Sequence, residues 1–253
     1  MKTWLKTELH THTVEDPEDG RRIVYHSARE LIDRAEAQGF EVLSITNHNQ
    51  LLWTPSLQEY ARKKGILLIP GVEATLNGRH FLLYNFLDYK SSWGSPEILA
   101  RHKGPDQLVI APHPFFPIPT SLGKLMFRWR DLIDAVEYHQ FYLSWLNFNK
   151  KAEKTARQWN LPLVGCSDGH HLFQLGGTHS LIHAEKNIRS VLHAMKQNQI
   201  RIVSEPVSPF FLARWFGLDA VRRLRYAIER ALPLVRRRVG KPRLHPKDEA
   251  SPP

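Results

Sequence analysis

The chain has 253 residues, 42% of them hydrophobic and 24% charged, a globular composition whose length suits one large α/β domain or two small ones. No apolar run approaches the ~18 residues that span a bilayer, and the opening Met1–Lys6 lacks the apolar stretch of a signal peptide. The single Cys166 excludes an intrachain disulfide, so the expected location is the cytoplasm. The formal charge of +10 is unevenly spread. Residues 206–253 hold eleven Lys or Arg against four Asp or Glu, while the first 205 hold 24 against 21, so the main body lacks the electropositive excess of a nucleic-acid binder.

In chain order, Trp4 to Leu9 reads as a strand, and Ser27 caps a helix that runs to about Gln38 before Gly39. Glu41 to Thr46 is a strand, Ser56 to Lys64 a helix stopped by Gly65, and Ile66 to Ala74 a strand. Asn77-Gly78 then turns the chain into a returning strand, His80 to Tyr84. Strands follow at Gln107 to Ala111 and Ala135 to Tyr138, then a helix at Trp145 to Trp159 and strands at Leu161 to Cys166 and His179 to His183. A helix at Asn187 to Gln197 and a strand at Ile200 to Ser204 close the series. This alternation predicts parallel strands with helices outside, and about seven units in 205 residues suit a barrel.

Metal-capable residues recur at the ends of these strands. Glu8-Leu9-His10-Thr11-His12 places two imidazoles two apart, on one side of an extended chain. His48 follows the second strand, Glu73 ends the third, Pro112-His113-Pro114 ends the next, and Glu137-Tyr138-His139 and Ser167-Asp168-Gly169-His170 end the last two. Barrel enzymes assemble their active sites at this end of the strands. Histidine and carboxylate donors suit Mn, Zn and Fe.

The set His10-Thr11-His12, Thr46-Asn47-His48, Gly71-Val72-Glu73, Ala111-Pro112-His113-Pro114 and Ser167-Asp168-Gly169-His170 resembles the polymerase and histidinol phosphatase (PHP) family, in its motif order, over roughly residues 5–205. The resemblance implies a distorted (β/α)7 TIM-like barrel over 1–205 that binds two or three divalent ions and hydrolyses phosphoesters. It implies that His10, His12, Glu73 and Asp168 hold one metal, with Glu73 bridging to a second held by His113 and His139. His48, His170 and an acidic residue, Asp16 in preference to Asp19, would hold a third. Asp168, His170 and Glu73 would be the catalytic residues, with His170 or His171 near the leaving oxygen. The expected nucleophile is a water shared by adjacent cations.

Asn47 stands where the family pattern has Asp, which is expected to weaken the support of His48. His80 reads as structural, His26 and His102 as surface residues, His179 as structural at a strand start, and Cys166 as a buried spectator. Arg79, Arg128 and Arg130 are candidates for holding phosphate. Tyr138, Phe141, Tyr142 and Trp145 read as core packing or a stacking platform.

Residues 206–253 form a basic tail with helical spacing of apolar residues at 211, 215, 218, 221, 224, 228, 231 and 235. Pro233 is expected to bend or end this helix, and the residues after Arg236-Arg237-Arg238 to be disordered. The stripe packs on the barrel or a second subunit, or else the tail meets an anionic membrane surface or nucleic acid, making the protein a peripheral membrane protein in the membrane case. The functional expectation is hydrolysis of a small phosphomonoester or phosphodiester. The rivals are a nuclease, a non-catalytic metal-binding module that works through its tail, and a hydrolase of a non-phosphate substrate.

Overall fold

The computed structural model describes residues 1–239, with side chains through Glu229. Strands β1 (Thr3–Glu8), β2 (Val42–Ile45) and β3 (Leu67–Leu76) run parallel. The Asn77-Gly78 turn sends β4 (Arg79–Tyr84) back antiparallel, and β5 (Leu108–Ala111) pairs antiparallel to β4. Then β6 (Ala135–His139) and β7 (Leu163–Cys166) resume the parallel direction. At the other side β8 (Thr178–Ala184) pairs antiparallel with β1 and β9 (Ile200–Ser204) antiparallel with β8, in the order β7-β6-β5-β4-β3-β2-β1-β8-β9. The result is a near-closed α/β barrel of mixed strands. The uniformly parallel arrangement is broken at β4 and β8, which follow the preceding strand through a turn and a loop instead of a helical crossover.

Strands β7 and β8 meet without a main-chain ladder, while the turn after β7 is tied to the end of β1 by His12 N–H to the Gly169 carbonyl and Gly169 N–H to the His10 carbonyl, each at 3.0 Å. Ser180 Oγ on β8 accepts the Gly165 N–H of β7 at 2.8 Å and donates to the Gly165 carbonyl at 3.1 Å. A Cβ at Gly165 would lie 2.8 Å from Ile202 Cγ2 and 2.9 Å from the His179 carbonyl, so only glycine permits this approach.

Helices α1 (Ala28–Ala37) and α2 (Pro55–Lys63) cover β2 and β3 through a cluster that includes Leu31, Ile32, Leu43, Ile45 and Leu57. Ser27 caps α1 in a reciprocal arrangement with Glu30, which satisfies two free main-chain donors. Helices α3 (Pro96–His102), not anticipated, and α4 (Asn149–Trp159) lie against the β3–β6 side. The first residues expected in α4, Trp145 to Phe148, are not helical. Asn147 Oδ1 accepts the Asn149 N–H at 2.9 Å and holds the chain off the helix axis until there. Helix α5 (Ile188–Lys196) packs Val191, Leu192 and Met195 against Leu5, Val42, Leu108 and Ile182.

Helix α6 (Pro209–Val239) continues through Pro233, which removes one main-chain donor without ending the helix. Its apolar residues divide between two faces. Phe211, Trp215 and Leu218 are half-buried against the barrel, whereas Val221, Leu224 and Ile228 are exposed and the docked face continues with Asp219 and Arg222. The expected apolar positions 231 and 235, the Arg236–Arg238 side chains and the expected disorder of the chain's end lie outside what is described. Among the described residues no helix is long and apolar enough to cross a membrane.

Candidate metal centre

The end of β1 delivers His10 and His12, both fully buried, and the parallel neighbours bring His48 and Glu73 alongside. Glu73 is the hub. Its Oε2 lies 3.2 Å from His10 Nε2, 3.3 Å from His12 Nε2 and 3.2 Å from His48 Nε2. Its Oε1 lies 3.1 Å from His113 Nε2 and 2.6 Å from His80 Nδ1. Asp168, from the turn after β7, faces the same space. Its Oδ1 is 3.3 Å from both His10 and His12 Nε2, and its Oδ2 is 3.2 Å from His139 Nε2. His113 and Asp168 hold left-handed backbone (φ 30° and 48°), a strain of roughly 1–3 kcal/mol each that concentrates at functional sites.

These contacts fit divalent cations. Two donors that share one ion at about 2.1 Å stand about 3.0–3.4 Å apart, the spacing found here. His12 Nε2 and Asp168 Oδ1 are buried, face one another and make no hydrogen bond. Burial disfavours charge on Asp168 and Glu73, but the imidazoles around them outweigh it and hold both carboxyls well below the usual range. For His10 the balance is the converse: burial opposes its charge, while Asp168, Glu137 and Glu73 push it well above the ordinary imidazole value. The space is built to hold positive charge.

The structure gathers the nine candidate metal ligands at one end of the barrel and distributes them unequally. His10, His12, Glu73 and Asp168 form one group of converging donor atoms; His48, Glu73 and His80 form another. His80, expected to be structural, therefore joins the cluster. It lies on β4 opposite Thr75, whose side chain shares a face with Glu73, a diagonal relation that only the hairpin register reveals. Asp16 lies behind the histidines: its Oδ2 meets His12 Nδ1 at 2.9 Å and His48 Nδ1 at 3.0 Å. These three also converge closely enough to count as a donor group. Asp19 is the acidic residue facing His170, Oδ2 to Nε2 at 3.0 Å. Asn47 does not touch His48. It accepts the Thr13 N–H and donates to Thr13 Oγ1, each at 2.9 Å, so the charge expected from position 47 is supplied to His48 by Asp16.

Three supporting residues escaped the sequence reading. Glu137 holds His10 Nδ1 at 2.7 Å and accepts the His113 N–H; its place two residues from His139 on one strand face was a usable signal. Glu8 accepts N–H groups from Leu9, His10 and Ser167, and burial pushes its carboxyl up to about 7. Gln174 donates to the Asp168 carbonyl and accepts the His170 and His171 N–H groups. No spacing rule pointed to it.

Other residues are placed away from the donor atoms. Arg79 donates to the Pro119 and Ser121 carbonyls, Arg128 pairs with Glu97 and Arg130 lies over Trp159. His26 is buried, not a surface residue, and burial lowers it to about 4. His102 pairs with Asp88 at 2.7 Å. His179 Nδ1 contacts the Gly176 carbonyl. His171 is buried and accepts from Arg222, and burial with that guanidinium lowers it to about 3. Cys166 is fully buried, and burial pushes its thiol well up. Of the aromatic run, Phe141 stacks on His139, Tyr138 and Tyr142 pack edge to face with Tyr142 buried, and Trp145 is 78% exposed.

A histidine and carboxylate cluster at the strand ends of a barrel is the make-up of a metal-dependent phosphoesterase active site. In fold the chain is similar to a two-domain protein from Bacteroides vulgatus containing a predicted PHP-like metal-dependent phosphoesterase. The TM-score is 0.64 at 18% identity, over 85% of this chain and 70% of that one. It is similar also to PsfC from Pseudomonas syringae, with a TM-score of 0.60 at 16% identity over 88% and 98% of the two chains. In sequence it is 28% identical over 156 residues to an uncharacterized protein of Methanocaldococcus jannaschii, covering 54% of this chain and 83% of that one. The PHP domain model matches residues 8–202, and the chain belongs to the PHP domain family.

Proposed function

We propose that this chain hydrolyses a small phosphoester at two or three divalent metal ions of the Mn, Zn or Fe type. The observation that carries the reading is the shared geometry of Glu73 and Asp168, each of which offers its two oxygens to different histidines. Bound there, the cations would supply Lewis-acid charge to the phosphoryl oxygens and lower the pKa of water. His10, His12, Glu73 and Asp168 would hold the first ion, and His113 and His139 would complete a second across Glu73 and Asp168. For a third ion we assign His48, His170 and Asp19, with Asp16 orienting His12 and His48 from behind.

With only the first two ions bound, His170 is the proton donor we favour for the leaving oxygen; a third ion would take its Nε2 as a ligand instead. Burial opposes its charge, but Asp168 and Asp19 raise it, so it is available in protonated form. His171 is unsuited, because burial and Arg222 keep it neutral. A small substrate is favoured because the nearby arginines are committed. Arg79 and Arg222 are bonded to main-chain carbonyls, which leaves phosphate charge to the ions and not to a cationic track.

The test is hydrolysis of a generic phosphomonoester and a generic phosphodiester side by side, with Mn²⁺ added and Asp168→Ala as the blank. Turnover that vanishes in the variant supports the reading, and the preferred ester selects the substrate class. Folded, metal-loaded protein that turns over neither ester overturns it in favour of a binding module.

A further inference from the structure

Helix α6 has two faces with different jobs. The inner face is fastened to the barrel. Phe211 packs on Phe141 and Phe173, and Trp215 packs on Phe141 and His171. Trp215 Nε1 donates to Gln174 at 3.2 Å, and Arg222 donates to the Ile23 carbonyl at 2.7 Å. These contacts fix the rotation of the helix about its own axis.

The outer face is then determined. At about 100° per residue, Phe210, Ala213, Phe216, Gly217, Ala220, Val221, Leu224, Ala227 and Ile228 fall within an arc of about 140° that contains no polar side chain. All nine are exposed: Phe210 by 76%, Val221 by 64% and Leu224 by 63%. Such a strip, roughly 27 Å long, is unusual on a face that meets water. Arginines border it: Arg214 and Arg225 along one edge, Arg223 along the other. The helix is too polar overall to cross a bilayer.

We propose that α6 is a membrane-surface helix, its inner face bound to the barrel and its outer face lying in the headgroup boundary of an anionic bilayer. Charge selects this occupant. Arginines flank the strip on both edges, and residues 206–253 hold eleven Lys or Arg against four Asp or Glu, a balance that anionic headgroups neutralise. Nucleic acid has no use for an uncharged strip of this length, since its affinity comes from phosphate contacts.

The experiment is flotation of the full chain with phosphatidylcholine vesicles and with phosphatidylcholine–phosphatidylglycerol vesicles, alongside light scattering and thermal unfolding. The chain is expected to float with the anionic vesicles and not with the neutral ones. The double variant Val221→Glu/Leu224→Glu, and separately Ile228→Glu, should lower the bound fraction by about tenfold or more with thermal unfolding and phosphoesterase activity unchanged. Absence of binding to anionic vesicles, equal binding to both vesicle types, or binding that both variants retain would overturn the proposal. So would a dimer in solution that the double variant dissolves, because the face would then belong to a second copy.

Discussion

The inner and outer halves of the metal centre are held by different means. On the inner side, the nitrogen of each histidine that faces away from the centre is tied: His10 to Glu137, His12 and His48 to Asp16, His113 to Ser121 Oγ. On the rim, His139 Nδ1 accepts the Phe141 N–H and His170 Nδ1 contacts the Asp168 carbonyl. The Asp168 side chain is 19% exposed where that of Glu73 is 2%. Carboxylates behind the inner imidazoles fix their tautomers and strengthen them as donors before any ion arrives. Main-chain contacts at the rim orient without adding charge, and substrate must enter on that side.

The contrast can be broken at its hub. Glu73→Gln removes the charge that both halves share, so turnover should fall by about a thousandfold or more and at least one metal equivalent should be lost, read by assay and metal analysis. A smaller loss would mean that the halves bind their ions independently. Next is Glu8, which joins the halves by accepting from His10 and Ser167. Its folded pKa of about 7 stands above the ordinary 4.5, so folding favours the protonated acid. The metal-free protein should therefore lose stability as pH rises from about 4.5 to about 7, by about 3 kcal/mol. In Glu8→Gln that slope should flatten in chemical denaturation; a slope left unchanged would clear Glu8 of the role.

Smaller effects sharpen the distinction. Asp16→Asn withdraws charge from behind two inner histidines and should weaken metal affinity by about 10–100-fold, measured by titration against a chelator. Asp19→Asn acts at the rim on His170 and should lower turnover by about tenfold with the inner ions retained. If Asp16→Asn loses a metal equivalent that Asp19→Asn retains, the assignment of the two aspartates is reversed.

Much of this centre was legible because strand alternation and strand exits convert directly into position. Residues from His10 to His170 needed only that logic to be gathered at one end of a barrel. What stayed hidden depended on contacts between segments. Asp16 and Asp19 share a short loop, and spacing cannot tell which points behind His12 and which towards His170. His80 needed the register of a hairpin. Asn47 looked like a weakness because its substitute, Asp16, comes from another loop. Helix α6 misled for a different reason: its apolar residues form two stripes, and a single periodic pattern was drawn through both. Short α3, only seven residues long and opening on Pro96, offers too few turns for a periodic signal.

The seam between β7 and β8 has a consequence for exchange and folding. One serine hydroxyl serves both main-chain groups of Gly165, so the ring lacks there the run of ladder bonds that protects amides elsewhere. In hydrogen–deuterium exchange the Gly165 amide should be among the first of the β7 amides to exchange, through opening of the seam and not through global unfolding. Asp168 stands three residues beyond that glycine, where main-chain bonds from Gly169 tie the exit of β7 to His10 and His12. An ion held by Asp168, His10 and His12 would reinforce that tie, and the slowing of Gly165 exchange on metal addition would read its strength at a single amide.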